Sequence, residues 1–314
     1  MRRDASCAPS WIAATAGNAS SWYHSVPART LTRLEAAYCA QNAPEVTDLR
    51  LGPAERSAAR DDLAPVLETL ETGRGFVILE IPGDHSAHDL TAHYWLIGQA
   101  LGEPATQNVE GTLLYDVRDT GKDLSQGARF SVTSYESSFH TDASFADSVI
   151  DYVGLLCLQT ALSGGVNHIV SGHTVKQVLQ RENPEALDVL RQPFHVERRG
   201  GVRPGESPTV ARPVITDGRA GSASDRSEPI FRYLRYWIET GHEKAREPLN
   251  AVQRAALDAL DEVARRPELR VEFTLKPGQV LFINNRWLLH NRTAFVDHPE
   301  PDRRRHLVRL WLTR

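Results

Sequence analysis

The sequence contains few cysteines. Cys7, Cys39 and Cys157 are odd in number and widely spaced, and they include no C-x-x-C pair. Disulfide frameworks and thiolate zinc sites both need paired or clustered thiols, so neither is indicated. Such a chain suits a reducing compartment, and we predict a cytoplasmic protein.

The sequence also has no excess of basic charge and no long apolar run. Its formal net charge is -4, from 36 basic and 40 acidic residues. Nucleic-acid binders normally present a basic field, and a membrane-spanning helix needs about 18 or more apolar residues in succession. We therefore expect neither nucleic acid nor a membrane as a partner. The oligomeric state stays open, with a homo-oligomer among the options.

The first third of the chain alternates between helix and strand patterns. Residues 53–72 carry apolar residues at three- and four-residue spacing, which predicts one helix ending near Gly73. The apolar run FVILEI at 76–81 predicts a buried strand. Ser86, with Asp89 three residues on, is typical of a helix start and predicts a helix to Leu101.

From Gly111 onward the pattern becomes rich in strands separated by polar turns, as in an antiparallel sheet. Residues 151–162 are the strongest central strand. The composition of residues 199–229, rich in Gly, Pro, Ser and Arg, predicts a long loop. Alternation at 269–275, a Pro-Gly turn and an apolar run at 280–283 predict a hairpin. Further helices are predicted at 174–179, at 185–190, and from Asn250 to Pro267.

Three side chains form a candidate metal site. His140 and Asp142 are two apart, so in an extended segment they project from the same face. His290 follows another predicted strand and supplies a second imidazole. Two histidines and one carboxylate make the facial arrangement of non-haem Fe(II) oxygenases, which leaves coordination positions open for co-substrate and O2. Taken alone, His-x-Asp is a weak signal, because such triplets occur often by chance.

Two arginines near the end of the chain strengthen this interpretation. Arg305 and Arg309 are four apart in a predicted strand, so they share a face with Leu307. Guanidinium groups facing a sheet interior need an anion, and a dicarboxylate can supply it through paired hydrogen bonds. The alternative interpretation of Arg305 is a solvated basic run with Arg303 and Arg304.

The order of the motifs resembles the TauD/TfdA family of Fe(II)- and 2-oxoglutarate-dependent dioxygenases. The motifs are HTD at 140–142, SGGVN at 163–167, NNRWLLHNRTAF at 284–295 and RRRHLVRLWL at 303–312. The resemblance spans about residues 74–314. It implies a mainly β fold with surrounding helices (α+β), a distorted double-stranded β-helix or jelly roll. We expect an N-terminal extension at 1–52 and one catalytic domain at 53–314, with insertions at about 105–138 and 174–265.

The resemblance also implies roles for individual residues. His140, Asp142 and His290 correspond to the iron ligands, and Arg305 to the partner of the distal carboxylate of 2-oxoglutarate. Arg309 would support that carboxylate or the substrate. Asn167 stands where the family often has Thr or Ser, and its amide can donate the same hydrogen bond to 2-oxoglutarate. A second departure is HNR at 290–292, where many members have HGR.

The implied activity is hydroxylation of a C–H bond in a small molecule, an amino acid or a related carboxylate metabolite, while 2-oxoglutarate and O2 yield succinate and CO2. Desaturation or cyclisation by the same chemistry is the first alternative. A metal-dependent hydrolase using the same three residues around zinc is an alternative of another class. A non-catalytic jelly-roll module that binds a small acid is a third.

Several other polar and aromatic residues are weaker functional candidates. His85, His88 and His93 fall on or near one predicted helix, and we expect them at solvated positions. Arg129 precedes the HTD strand; it could meet an anionic substrate group, although a surface ion pair is the default expectation. The aromatic segment FRYLRYW at 231–237 is expected in the core or at the mouth of the substrate site.

Overall fold

The computed structural model describes residues 9–122, 129–198, 202–219 and 227–314, and the description below refers to them. The helices surround two main β-sheets. None of the described helices has the length and hydropathy needed to cross a membrane. The α-helices are α1 Ala28–Cys39, α2 Pro53–Asp62, α3 Ala64–Glu71, α4 Ala87–Leu101, α5 Gly172–Glu182, α6 Pro184–Leu190, α7 Arg235–Ala245 and α8 Ala251–Arg265.

The larger sheet has seven strands, and only its first pair is parallel. Its strands are β1 Tyr23–Ser25, β2 Phe76–Glu80, β3 Glu103–Ala105, β4 Leu114–Val117, β6 Tyr152–Gln159, β14 Gln279–Asn284 and β17 His306–Thr313. Their spatial order is β1-β2-β14-β6-β17-β3, with β4 also paired to β17. The predicted central strand is confirmed, because β6 lies between β14 and β17.

The smaller main sheet carries two of the candidate metal ligands. It has four antiparallel strands in the order β13-β8-β15-β5. These are β5 Ser137–His140, β8 Asn167–Ser171, β13 Arg270–Phe273 and β15 Leu288–Arg292. Three two-stranded ribbons complete the described strands: β7 Ser163–Gly164 with β16 Phe295–Val296, β9 Pro193–Glu197 with β10 Thr209–Pro213, and β11 Ile215–Arg219 with β12 Ser227–Phe231.

Alternation along the strands divides the interior into two cores. In β17, Val308, Leu310 and Leu312 belong to a core shared with α1 to α4. Leu307 and Trp311 face the opposite way, into a core shared with the four-stranded sheet. Successive strand residues point to opposite faces, so Arg309 projects with Leu307 and Trp311 into the space between the two sheets.

The helix predicted over residues 53–72 is two helices. α2 ends at Asp62 and α3 begins at Ala64, with Leu63 between them in a non-helical conformation. Pro65 lies in the first turn of α3, where its missing N–H costs nothing, whereas inside a continuous helix it would remove a hydrogen bond. The helix starts predicted at Ser86 and Asn250 are confirmed, and Asn250 forms a complete capping box with Gln253.

The predicted hairpin at residues 269–283 is wrong. β13 pairs with β8 in the four-stranded sheet, while β14 pairs with β2 and β6 in the seven-stranded sheet. All six residues of β14 are buried, so this strand needs neighbours on both edges and packing on both faces, which one hairpin partner does not provide. The Pro277-Gly278 turn therefore carries the chain from one sheet to the other.

The loop predicted over residues 199–229 is partly strand. β10, β11 and the start of β12 fall inside it, and β11 pairs directly with β12. Proline and glycine are uncommon inside strands, so the composition of this segment predicted a loop and its short strands were not recognised. Residues 199–201 and 220–226 of this predicted loop lie outside the described residues.

The segment before residue 53 packs on the same framework as the rest of the chain. β1 extends the seven-stranded sheet by pairing with β2, and α1 lies against α4. This contact corrects one expectation, because His93 is 1% exposed and its Nε2 lies 2.7 Å from Glu35 Oε2 on α1. Because α1 packs over this face of α4, His93 is buried and not at the solvated position that the sequence pattern predicted.

Candidate active site

The two candidate histidine ligands are direct neighbours across a pair of antiparallel strands. β15 pairs with β5 so that His290 lies opposite His140, and their ring centroids are 4.2 Å apart. Opposed residues of an antiparallel pair project from the same face, so both rings reach the space between the sheets. The pairing register therefore brings together two residues that are far apart in sequence.

Asp142 reaches the histidines from a turn and not from an extended strand. β5 ends at His140, and the following turn includes Ala143 with a φ of 54°, the left-handed region that non-glycine residues seldom occupy. Asn285 fixes this turn, because its Oδ1 accepts from the Asp142 N–H at 2.7 Å and its Nδ2 donates to the Asp142 carbonyl at 3.1 Å. Convergence of the HTD motif thus depends on a buried amide from another segment.

The two carboxylate oxygens of Asp142 have different neighbours. Oδ2 accepts a hydrogen bond from Trp311 Nε1 at 2.7 Å and forms an ion pair with Arg309 Nη1 at 3.1 Å. Oδ1 faces the imidazoles, 3.6 Å from His140 Nε2 and 3.9 Å from His290 Nε2. Oδ2 is thereby held by protein donors, whereas Oδ1 lies on the same side as the Nε2 atoms of the two histidines.

The tautomer of His140 follows from its backbone contact. Its Nδ1 lies 2.8 Å from the Ser138 carbonyl oxygen, which can only accept, so Nδ1 carries the proton in this contact. Nε2 is then left with a lone pair directed towards Asp142 and His290. A histidine oriented in this way by a carbonyl is the common arrangement for a metal ligand.

The electrostatic environment keeps Asp142 and His290 in the forms that can bind a metal ion. Burial alone would raise the pKa of Asp142, but Arg309, with His140 and His290, holds it well below its usual range. Burial, together with His140 beside it, lowers the pKa of His290 to about 3. At neutral pH the site therefore presents a carboxylate and an uncharged His290 ring.

These groups fit a divalent metal ion. One donor atom from each of His140, Asp142 and His290 can be chosen so that all three lie within 4.8 Å of one another. Two nitrogens and one carboxylate oxygen on one side of an ion match the open facial site that binds Fe(II).

Arg305 lies beside the three candidate ligands, and one nitrogen of its guanidinium group makes no hydrogen bond to the described residues. The residue is 5% exposed, and its Nη1 is buried without a hydrogen-bond partner among the described residues. Burial lowers its pKa to about 10, and its guanidinium lies 5.0 Å from the centre of the Phe295 ring. A buried cation with an unused donor calls for an anion, and a carboxylate has the matching geometry.

Arg309 and Asn167 lie at the same cavity but make contacts that the sequence did not predict. Arg309 pairs with Asp142 and also donates from Nε to Gln107 Oε1 at 2.7 Å. The amide of Asn167 reaches the Phe273 carbonyl at 3.4 Å, which is a long hydrogen bond that a better acceptor could replace. Gly165, with a φ of 68°, places its backbone next to Arg305 Nε, where a bulkier residue would be strained.

One cavity between the sheets brings together all six residues predicted for the site. His140, Asp142, Asn167, His290, Arg305 and Arg309 line it. Its apolar wall includes Leu234 and Trp237, whereas Phe231 and Tyr233 are buried in the core, so segment 231–237 meets both parts of the expectation that it lies in the core or at the mouth of the site. The cavity continues from the three candidate ligands to this apolar wall, where a small organic molecule can bind.

Sequence reasoning missed three residues that shape the site. Asn285, Trp311 and Gln107 fix Asp142 or its partner Arg309 through the contacts given above. Asn285 and Trp311 lie inside the quoted motifs, so the signal was present without a role attached to it. Gln107 bears no sequence signal of this kind; its amide also donates to the Arg309 carbonyl at 2.9 Å.

Comparison with protein families gives an independent result. A model of the taurine catabolism dioxygenase TauD, TfdA family matches residues 45–311. FR-33289 synthase of Streptomyces rubellomurinus (strain ATCC 31215) is 30% identical over 271 residues, which cover 84% of this chain and 76% of that protein. Uridine-5'-phosphate dioxygenase of a Streptomyces species is 30% identical over 266 residues, covering 79% and 90%.

Solved structures with the same fold include two oxygenases. Asparagine oxygenase in complex with Fe(II), 2S,3S-3-hydroxyasparagine and succinate matches with a TM-score of 0.66 at 20% identity, over 93% of each chain. The non-heme iron oxygenase OrfP with Fe and alpha-ketoglutaric acid matches with a TM-score of 0.62 at 18% identity, also over 93% of each chain. At these identities the likeness concerns the fold.

Proposed function

Because the chain belongs to the TauD/TfdA family and is an Fe(II)/2-oxoglutarate-dependent dioxygenase, we propose that His140, Asp142 and His290 hold its ferrous ion. The observation that carries this proposal is the convergence of one donor atom from each residue within 4.8 Å, in a cavity that also contains a buried arginine. When bound, iron with 2-oxoglutarate and O2 supplies the oxidant for a substrate C–H bond, and 2-oxoglutarate leaves as succinate and CO2.

Arg305 is the proposed partner of the distal carboxylate of 2-oxoglutarate. Its unused Nη1 and its burial support this role, since a bound carboxylate would satisfy the donor and offset the desolvation of the cation. Asn167 lines the same cavity and contributes a weaker amide hydrogen bond. The hydrolase alternative gives Arg305 no anion to bind.

The remaining side chains orient the ligands and the substrate. Trp311 and Arg309 hold Asp142 Oδ2, so Oδ1 is the oxygen offered to the metal. Ser138 fixes the His140 tautomer through its carbonyl oxygen. Leu234 and Trp237 form an apolar wall that excludes water from the reacting groups.

The enzyme acts on a small molecule, and C–H hydroxylation is the proposed outcome. Desaturation or ring closure would follow from the same hydrogen abstraction. The proposed substrate class is an amino acid or a related carboxylate metabolite. Relatives named for uridine-5'-phosphate and neighbours named for asparagine support a small polar substrate with an anionic group.

The proposal extends to the architecture and setting of the protein. The facing seven- and four-stranded sheets correspond to the distorted double-stranded β-helix of the jelly roll, with residues 53–314 as the catalytic domain and 1–52 as an extension. The insertions at about 105–138 and 174–265 border the cavity through Arg129 and Trp237. The proposed location of the protein is the cytoplasm. The proposal is compatible with a monomer and with a homo-oligomer.

Replacing a ligand tests the iron assignment. His140→Ala should abolish succinate formation from 2-oxoglutarate while the circular dichroism spectrum stays native. His88→Ala is the matched control, because His88 is an exposed histidine on α4 far in sequence from the site. Succinate formation that persists at the control level in His140→Ala would move the iron site elsewhere.

A further inference from the structure

The residues on the inner face of β6 lead from the candidate metal site to a second, smaller cavity. Val153, Leu155 and Cys157 are spaced two apart on this strand, so their side chains project from the same face. Val153 and Leu155 line the cavity that contains the three candidate ligands. Cys157 comes next along the strand and lines a neighbouring cavity of about 30 Å³.

The two cavities share the wall that carries the proposed 2-oxoglutarate contacts. Asn167, Arg305 and Leu307 line both of them. Leu307 on β17 lies directly opposite Cys157 in the strand pairing, and Arg305 precedes it by two residues. A volume of about 30 Å³ holds one or two water molecules, so the smaller cavity is too small to bind an organic ligand of its own.

The thiol of Cys157 and the guanidinium group of Arg305 meet at this smaller cavity. Arg305 is 5% exposed, and its Nη1 has no hydrogen-bond partner among the described residues. Burial raises the pKa of the Cys157 thiol to about 12, and the nearby charge of Arg305 opposes that rise. The thiol therefore stays uncharged at neutral pH, and its Sγ donates a weak hydrogen bond to the Leu275 carbonyl oxygen at 3.8 Å.

We propose that Cys157 sets the depth of the co-substrate site and so favours 2-oxoglutarate over 2-oxo dicarboxylates with a longer chain. The inference rests on the proposed function and concerns its co-substrate. In 2-oxoadipate the distal carboxylate is one methylene further from the oxo group, so this carboxylate needs space in the direction of the smaller cavity. The side chain of Cys157, which is 1% exposed, occupies part of that space.

Two co-substrates that differ by one methylene test the proposal. The Fe(II)-loaded protein is titrated anaerobically with 2-oxoglutarate and with 2-oxoadipate, and calorimetry gives the Kd of each. The wild-type protein should bind 2-oxoglutarate about tenfold or more tightly, as expected when a fitted pocket meets one methylene too many. The preference for 2-oxoglutarate is the ratio of the two Kd values.

Two substitutions of Cys157 should change this preference in opposite directions. Cys157→Ala removes the sulfur, and the preference should fall by about fourfold or more, which corresponds to the burial of one methylene. Cys157→Val adds a carbon at the end of the site, so the preference should rise. Cys39→Ala is the matched control, because Cys39 is exposed on α1, and it should leave the preference unchanged.

The ratio separates a role in selectivity from a purely structural role, because damage to the fold weakens both ligands alike. Circular dichroism identifies the variants with a native fold, and either variant of Cys157 decides the question if the other does not fold. Two results would overturn the proposal: an unchanged preference in a natively folded Cys157 variant, or equal affinities of the wild-type protein for the two ligands.

Failure of the proposed function would be recognised separately. The visible metal-to-ligand charge-transfer band of Fe(II) with 2-oxoglutarate is recorded in the wild-type protein before the titrations. Absence of this band contradicts the iron and 2-oxoglutarate assignment. A normal band together with an unchanged preference in the variants contradicts the role of Cys157 alone.

Discussion

The indole N–H of Trp311 donates a hydrogen bond of 2.7 Å to Oδ2 of Asp142, across 169 positions of sequence. Trp311 lies on β17 of the seven-stranded sheet, whereas Asp142 follows β5 of the four-stranded sheet. The contact therefore spans the two sheets at the candidate metal site. Oδ2 therefore accepts a hydrogen bond from the protein, and Oδ1 remains available to bind the metal ion.

Removing this donor should weaken metal binding. Trp311→Phe keeps an aromatic ring next to Arg309 but loses the N–H, so Oδ2 of Asp142 is held by Arg309 alone. Contacts that orient metal ligands typically change metal affinity by 10- to 100-fold, and we expect a loss of about tenfold for Fe(II) or Mn(II). Competition with a chelating dye measures it.

Trp287→Phe is the matched control, because Trp287 Nε1 is buried without a hydrogen-bond partner among the described residues. It makes the same change in ring size in the core without removing a bond to a metal ligand. Equal metal affinities of Trp311→Phe and the wild-type protein would show that the hydrogen bond does not position Asp142.

Arg305 should determine the requirement for 2-oxoglutarate. Arg305→Leu removes the buried cation, and we expect KM for 2-oxoglutarate to rise about tenfold to a hundredfold, as for the loss of a charge-assisted contact. Metal affinity should change much less, because Arg305 contacts none of the three candidate ligands. Succinate formed at varied 2-oxoglutarate concentrations gives KM, and Arg304→Leu at an exposed position is the control. An unchanged KM would transfer the role to Arg309 or another residue.

Asn167 should make a smaller contribution to the same site. Asn167→Thr restores the hydroxyl that the family often has there, and we expect its KM for 2-oxoglutarate to stay within about twofold of the wild-type value. Asn167→Ala removes the donor and should raise KM by about threefold to tenfold, as expected for one neutral hydrogen bond. If the alanine and threonine variants behave alike, the amide does not contact the co-substrate.

Stability should fall in mild acid because of His173. Burial, with Lys176 nearby, lowers the pKa of His173 to about 4. Between its ordinary value of about 6.5 and about 4, the unfolded chain binds a proton that the folded protein excludes, so stability is present above the higher value and is lost as pH falls. At pH 5 the expected loss is on the order of 1–2 kcal/mol relative to pH 7.5.

His173→Phe isolates this effect. The His173 ring packs edge-on against Trp287 with the centroids 4.8 Å apart, and phenylalanine keeps that contact without a titrating group. Urea unfolding at pH 7.5 and pH 5 should show a smaller loss of stability in the variant than in the wild-type protein. Identical losses would mean that other groups govern the acid sensitivity.

The sequence predicted the local elements and the chemistry of the site better than it predicted which strands meet. The helix start at Ser86 and the buried strand at 76–81 depend on neighbouring residues, and both were found as predicted. The 269–283 hairpin failed because two consecutive strands entered different sheets. Strand pairing depends on long-range packing, which periodicity does not record.

The candidate site shows the same difference between what residue identity predicts and what long-range packing decides. His140, Asp142, His290 and Arg305 came from motifs whose residue types and order carry the chemistry. The register that opposes His290 to His140, and the Trp311 contact that fixes Asp142, required the fold. Arg309 illustrates the limit, because its position on the inner face was predictable and its ion pair with Asp142 was not.

Anaerobic addition of 2-oxoglutarate to the Fe(II)-loaded protein tests the central claim most directly. We expect a visible metal-to-ligand charge-transfer band in the wild-type protein and its loss in His290→Ala, with native circular dichroism in both. No band in the wild-type protein, or a band of full intensity in His290→Ala, would contradict the claim that His140, Asp142 and His290 together hold the iron.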